Sequence, residues 1–155
     1  MARVTVISLV MLCLGLGYAA AEVATPSEPQ QTVEKLDTKT GITQHYALAK
    51  DGDASSQLAI GLRYLELRNT AKALYWFEKS AVQGNAQAQM HLGNAYARGK
   101  GVPVDLVKAH MWLNLAAGQG SYEAQFRFEY LTSQMTQEQI DQARRMAQTW
   151  RQRAK

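Results

Sequence analysis

Apolar side chains recur every three or four positions through the central and C-terminal parts of the chain. Between residues 86 and 98 they are Ala88, Leu92, Ala95 and Tyr96. This spacing places them along one face of an α-helix, with polar residues on the opposite face. The pattern therefore predicts an amphipathic helix over 86–98.

Glycine and capping residues mark the ends of the predicted helices. Gly99 and Gly101 end the helix over 86–98, because glycine accepts the left-handed backbone of a C-cap. Asp105 is predicted to cap the next helix, which runs to about Ala117, and Thr70 is predicted to cap an earlier one. Further helices are predicted at about 43–50, 54–67, 70–82 and 136–150.

The last predicted helix opens on a capping box. Thr136 stands at the N-cap and Gln139 three residues later, so that each can bond the other's backbone N–H. The apolar residues on one side of this helix are Ile140, Ala143, Ala147 and Trp150. A terminal helix of this kind is predicted to cover the exposed apolar end of a repeat array.

Two stretches of the chain match each other at a spacing of 36 residues. Trp76 pairs with Trp112, and Ala81 pairs with Ala117. The other pairs are Gln83-Gly84 with Gln119-Gly120 and Ala88-Gln89 with Ala124-Gln125. Self-similarity at a fixed period of this length is the signature of a repeat architecture.

The preceding halves of the two units match at a spacing of 32, because the first unit has a shorter loop. Gly61 then falls opposite Gly93, and Tyr64 opposite Tyr96. Glycine inside a helix costs about 1 kcal/mol relative to alanine. Its recurrence at one place in both units predicts that the paired helices approach closely there.

The second unit resembles the Sel1-like repeat, a relative of the tetratricopeptide repeat. The matching residues are Ala86, Ala88, Gln89, Leu92, Gly93, Tyr96, Gly99, Gly101, Val102, Asp105, Lys108, Ala109, Trp112, Ala116, Ala117, Gln119 and Gly120. The first unit lacks the glycine loop and the aspartate, and the third has Phe128-Glu129 where the motif has Leu-Gly. The resemblance implies a right-handed superhelix of antiparallel helix pairs that acts as an adaptor, and exported bacterial members serve envelope assemblies.

The predicted fold is therefore all-α, a short right-handed α-solenoid with a C-terminal capping helix. The predicted repeat array covers residues 44–135, with repeats at about 54–85 and 86–121 and a partial third at 122–135. Residues 136–155 form the predicted cap.

The N-terminus has the order of a secretory signal peptide. Arg3 precedes an uncharged apolar run to about Gly17, and Ala19 and Ala21 occupy A-x-A cleavage positions. We expect cleavage after residue 21, a flexible segment over 22–43, and a periplasmic or secreted protein. An uncleaved leader acting as a membrane anchor is the alternative. A lipid anchor on Cys13 is disfavoured, because the residue before it is Leu rather than a small one.

The residues do not assemble a recognisable reaction centre. His45, His91 and His110 lie on different predicted helices, without the i, i+4 pairing that places two metal ligands on one face. No pair of acidic residues stands out as acid and base. We therefore predict no catalytic residue, metal or cofactor. The net charge of +4 is too mild to favour nucleic acid as a partner.

A protein-binding surface follows from the family resemblance, in which the first helix of each pair lines the concave side. The candidate residues are Leu58, Leu62, Leu65, Met90, Asn94, Arg98, Phe126 and Tyr130. The alternative is that the apolar members are simply core. The predicted function is an envelope adaptor that holds another protein or a peptide. A hydrolase of cell-wall-related compounds and a structural envelope component remain as alternatives.

Overall fold

The computed structural model describes residues 42–153, with side chains from His45 onward, and all regular structure in this range is helical. The helices are α1 (Ile42–Lys50), α2 (Ala54–Glu66), α3 (Thr70–Val82), α4 (Ala86–Arg98), α5 (Leu106–Ala117), α6 (Tyr122–Thr132) and α7 (Gln137–Arg153). The prediction of an all-α solenoid is confirmed. The predicted leader, and all but the last two residues of the segment 22–43, lie outside the described residues.

Side-chain caps define where most of the helices begin. Asp53, Asn85 and Ser121 accept from the backbone N–H three residues later, and so open α2, α4 and α6. Asp105 caps α5, as predicted. The prediction that Thr70 caps α3 is wrong by one residue. Asn69 is the N-cap, because its side-chain amide oxygen accepts from the N–H of Lys72.

The helices stack as successive antiparallel neighbours up to α6. Each helix from α1 to α5 packs on the next one, and α5 packs on both α6 and α7. The last helix thus returns to α5 instead of continuing from α6. Its capping box is present, with Gln139 Oε1 accepting from the N–H of Thr136 and the Thr136 hydroxyl accepting from the N–H of Gln139.

Two interior glycines allow the helices of each repeat to approach. A Cβ on Gly61 would lie 2.6 Å from the ring of Phe77, and one on Gly93 would lie 2.7 Å from Cγ of Leu113. Phe77 and Leu113 occupy the same place in their repeats, 36 residues apart. The expectation that these glycines serve close packing is confirmed.

A ladder of buried glutamines joins neighbouring repeats. Gln57 donates to the carbonyl oxygen of Ala49 over 3.0 Å and accepts from Gln83 over 2.8 Å. Gln89 occupies the equivalent place one repeat later and has no exposed surface. Gln89 likewise donates to the carbonyl oxygen of Ala81, so each buried glutamine adds a side-chain donor to a carbonyl at the end of α1 or α3 that also accepts from a backbone N–H of the following turn.

The ladder and the close helix packing both stop at α6. Gln125 is equivalent to Gln89, but its amide is exposed and donates to Glu129 over 2.6 Å. Glu129 itself stands where the earlier repeats have Gly61 and Gly93. Because Glu129 carries a side chain at that position, no helix can approach α6 there as closely as α3 approaches α2 or α5 approaches α4.

Helix α7 covers the side of α5 through two specific contacts. The rings of Trp112 and Trp150 meet edge to face, with centroids 6.1 Å apart. Arg151 donates to the side-chain oxygen of Asn114 over 2.6 Å. Buried residues of α7 include Ile140, Ala143 and Ala147, the side predicted from the sequence.

Candidate functional site

A groove of about 320 Å³ opens between α2, α3, α4 and α6. Its apolar lining includes Ala73, Leu74 and Phe77 from α3 and Ala95 from α4. Ala73, Phe77 and Ala95 are buried. The groove therefore offers an apolar floor that continues the hydrophobic core to the surface.

The rim of this groove is positively charged. Arg68 follows α2, Arg98 ends α4 and Lys100 lies in the loop after it. All three side chains are exposed, and none forms a salt bridge with an acidic residue in the part of the chain that the structure describes. Three unpaired cations beside an apolar floor create a positive potential that attracts carboxylates.

Arg68 holds its place through an unusual backbone conformation. Its φ is +58°, and among the described residues it has the only positive φ outside glycine. This conformation costs a non-glycine residue about 1–2 kcal/mol. The short turn between α2 and α3 imposes it and directs the residue toward the groove.

The far wall of the groove contains the fourth cation, Arg127, which differs from the others. Its guanidinium contacts Glu123 over 2.7 Å, one turn earlier on α6. Beside it, the imidazole of His91 stacks on Phe77 with centroids 4.6 Å apart. Burial lowers the pKa of His91, while the charges of Glu123 and Arg127 act in opposite directions on it. The neutral ring thus extends the apolar surface.

The structure places the predicted binding residues in three different environments. Leu65, Asn94 and Arg98 line the groove, and Leu62 is half-buried at the edge of the core. Leu58 and Met90 are buried, at 9% and 7% exposure, in the two hydrophobic clusters. Their burial agrees with the alternative prediction, in which the apolar candidates belong to the core.

The remaining two candidates lie on a separate surface. Phe126 and Tyr130 are each 66% exposed on α6, and Tyr122, one turn before them, is 87% exposed. They do not line the groove. The structure therefore divides the predicted stripe between the groove, the core and α6.

Sequence reasoning missed Arg68, Lys100, Arg127 and His91 as lining residues. Arg127 and His91 occupy equivalent positions, 36 residues apart, on α6 and α4. This equivalence could have indicated that the two residues line the same surface. Arg68 and Lys100 lie in turns, where helical periodicity carries no information about direction.

His110 is fully buried against Phe128, with ring centroids 4.5 Å apart, and neither ring nitrogen has a hydrogen-bond partner among the described residues. Burial lowers the pKa of His110, and the positive charge of Arg144 lowers it further.

No group of three or more metal-ligating side chains occurs between residues 42 and 153. No helix in that range is long and apolar enough to cross a membrane.

Comparison with known proteins assigns this architecture. The family described as Sel1 repeat matches residues 54–85 and 86–121. Residues 54–121 are two Sel1 repeats. Sel1 repeats mediate protein–protein interactions and are generally non-catalytic scaffolds. The groove therefore lies on these two Sel1 repeats, with its far wall supplied by Arg127 of α6.

Two solved structures share the fold. A Sel1 repeat protein from Oxalobacter formigenes is 29% identical with a TM-score of 0.59, and the match covers 76% of this chain and 91% of that one. A protective antigen of uropathogenic Escherichia coli with an SLR fold is 27% identical with a TM-score of 0.53, over 70% of this chain and 32% of the antigen.

A curated relative extends the similarity to a much longer protein. The ERAD-associated E3 ubiquitin-protein ligase component HRD3 of Candida glabrata is 29% identical over 101 residues. The match covers 57% of this chain but only 12% of HRD3. The chain thus spans a small part of that relative.

Proposed function

We propose that this protein is an exported bacterial adaptor whose Sel1 array holds an extended, carboxylate-bearing segment of another protein in the groove. The observation that carries the proposal is the unpaired cationic rim of Arg68, Arg98 and Lys100 around an apolar floor. Charged groups without partners add specificity for acidic ligands, while apolar surface supplies affinity.

The lining of the groove suits a peptide segment. Residues of the turn after α2 and of the loop after α4 line it, together with polar Asn94 of α4. An amide at this place can bond the backbone of an extended chain, as polar groups in peptide grooves do. A segment with one apolar side chain between acidic ones fits this arrangement.

Export rests on the pattern of residues 1–21, with its charged start, apolar run and A-x-A site. We place the protein in the periplasm or outside the cell, where the partner belongs to an envelope assembly. Fractionation of the producing bacterium and mass determination of the purified protein test this step. The expected mature chain begins at Glu22. A protein that keeps residues 1–21 in the membrane would establish the anchor instead.

Peptide binding tests the groove. A fluorescent eight-residue peptide of alternating Glu and Leu is titrated against the protein, with a Lys and Leu peptide of equal length as control. We expect binding of the acidic peptide alone, weakening as salt is added, because added ions screen exposed charges. Arg98→Glu should abolish it, whereas Arg145→Glu on the exposed surface of α7 should not. Equal binding of both peptides would contradict the proposal.

A further inference from the structure

The exposed aromatic residues of α6 form a regular stripe that the groove does not use. Tyr122, Phe126 and Tyr130 follow each other at intervals of four residues and therefore lie along one face of the helix. Their exposures are 87%, 66% and 66%. A contiguous apolar patch of this kind on a folded domain marks an interaction surface. We call Tyr122, Phe126 and Tyr130 the α6 stripe.

The earlier repeats show what kind of element covers this face. Phe126 is equivalent to Met90, which is buried in one cluster with Ala124 and Leu131 of the following repeat's first helix. Leu58, one repeat earlier, is buried in the same way with residues of α4. At this position the fold therefore buries an apolar side chain under another helix. On α6 that helix is absent from the described residues.

From this arrangement we infer that the α6 stripe pairs with the α6 stripe of a second copy of the same chain, forming an antiparallel two-fold dimer. Tyr122 and Tyr130 lie four residues on either side of Phe126. A two-fold axis at Phe126 therefore sets Phe126 against itself and Tyr122 against the partner's Tyr130. A closed dimer requires such a self-complementary surface.

The polar residues beside the stripe are complementary under the same symmetry. Glu123 and Arg127 flank it on one side, and Gln125 and Glu129 flank it on the other. In the single chain these are the pairs Glu123–Arg127 and Gln125–Glu129. The two-fold axis brings Glu123 near the partner's Arg127, and Gln125 near the partner's Glu129. Both contacts join groups of opposite charge or matching hydrogen-bond capacity.

The available area is consistent with a weak dimer. A fully covered aromatic side chain buries about 150–250 Å², so six rings exposed to this degree contribute on the order of 800 Å². With the flanking side chains, the interface reaches the roughly 1,000 Å² at which specific association begins. A dimer presents two grooves, which strengthens attachment to a partner with two acidic segments.

Sedimentation of the full chain, purified as the producing cell processes it, tests the dimer. We expect a monomer–dimer equilibrium in the micromolar range. Phe126→Glu should weaken association by roughly tenfold or more, because it places two charges at the two-fold axis. Val104→Glu is the control, since Val104 is comparably exposed, at 61%, and lies in the loop before α5. A protein that remains monomeric at about 100 µM, well above a dissociation constant in the low micromolar range, would overturn the inference. So would a Phe126→Glu variant that associates as strongly as the unchanged protein.

Charge reversal separates this dimer from any other use of the stripe. Glu123→Arg and Arg127→Glu each place like charges across the axis, so each variant alone should dimerise poorly. Mixed in equal amounts, they should form mixed dimers, since each chain then supplies the charge that the other lacks. Failure of the mixture to associate would rule out this register. Because acidic-peptide binding at Arg98 is measured separately, the dimer and the groove can fail independently.

Discussion

The side-chain amide of Gln119 donates a hydrogen bond to the side-chain oxygen of Gln89 over 2.9 Å. Gln89 in turn donates to the carbonyl oxygen of Ala81 over 3.1 Å. One buried glutamine therefore connects the second helices of two consecutive repeats. An intact ladder fixes the register of the stack, because a shifted repeat would leave buried polar groups without partners.

Gln89→Leu should lower the free energy of unfolding by about 1–3 kcal/mol, because it removes the two hydrogen bonds that this buried side chain makes, each worth about 0.5–1.5 kcal/mol. Gln125→Leu is the matched control at the equivalent exposed position and should change stability by less than about 0.5 kcal/mol. Urea unfolding followed by circular dichroism measures both. Equal losses for the two variants would mean that the ladder contributes nothing special.

Gly93→Ala should destabilise the protein although alanine is the better helix former. The added methyl group would lie 2.7 Å from Leu113 Cγ, and overpacking a core costs about 1–3 kcal/mol. Glu129→Ala, at the matching exposed position, should be neutral or slightly stabilising. Thermal unfolding compares them. A stable Gly93→Ala variant would show that the helices can separate at no cost.

The buried histidine makes stability depend on pH. Because the pKa of His110 is lowered in the folded state, the unfolded chain takes up a proton first as the pH falls below about 6.5. The free energy of unfolding should therefore decline from that pH downward. His91, whose pKa is also lowered, contributes in the same direction.

His110→Leu should remove part of this acid sensitivity and raise stability at pH 7 by about 1 kcal/mol, since two unsatisfied buried nitrogens disappear. The first repeat already has Leu74 at the equivalent position. Denaturant titrations between about pH 7.5 and pH 5, which bracket the ordinary histidine pKa, measure the free energy of unfolding of each variant. The exposed His45→Gln variant is the control. If the free energy of unfolding of the His110→Leu variant fell with pH as steeply as that of the unchanged protein, this account would be wrong.

Substitutions at Arg68 should separate its contribution to peptide binding from the cost of its backbone strain. Arg68→Gly and Arg68→Ala both remove the charge from the groove and should weaken acidic-peptide binding alike. Only glycine relieves the φ of +58°, so Arg68→Gly should be more stable than Arg68→Ala by about 1 kcal/mol. Paired binding and unfolding measurements on the two variants decide this. Equal stability would show that the turn is not strained.

The sequence predicted the repeat and its helices well because their signals are local. Gly93, Asp105 and the capping box at Thr136 determine the backbone within a few residues, and all three behave as expected. The groove depends on how four helices and two turns are arranged together. Only the stacking brings Arg68 and Lys100 beside Phe77, which no spacing along the chain reveals.

The predicted stripe failed to separate core from surface for a related reason. Leu58, Met90 and Phe126 occupy equivalent positions, yet the first two are buried and the third is exposed. Their burial depends on whether another repeat follows. Periodicity identifies the face of a helix but not the neighbour that covers it.

Glu129 also constrains how the protein can gain length by gene duplication. A unit inserted between residues 85 and 86 would carry its own interior glycine and its own buried glutamine. It could therefore pack on the units before and after it as the existing repeats do. A unit appended after α6 would have to pack a second helix over a carboxylate where Gly61 and Gly93 leave space. Evolution can therefore lengthen this array from the middle, while its C-terminal unit stays where it is.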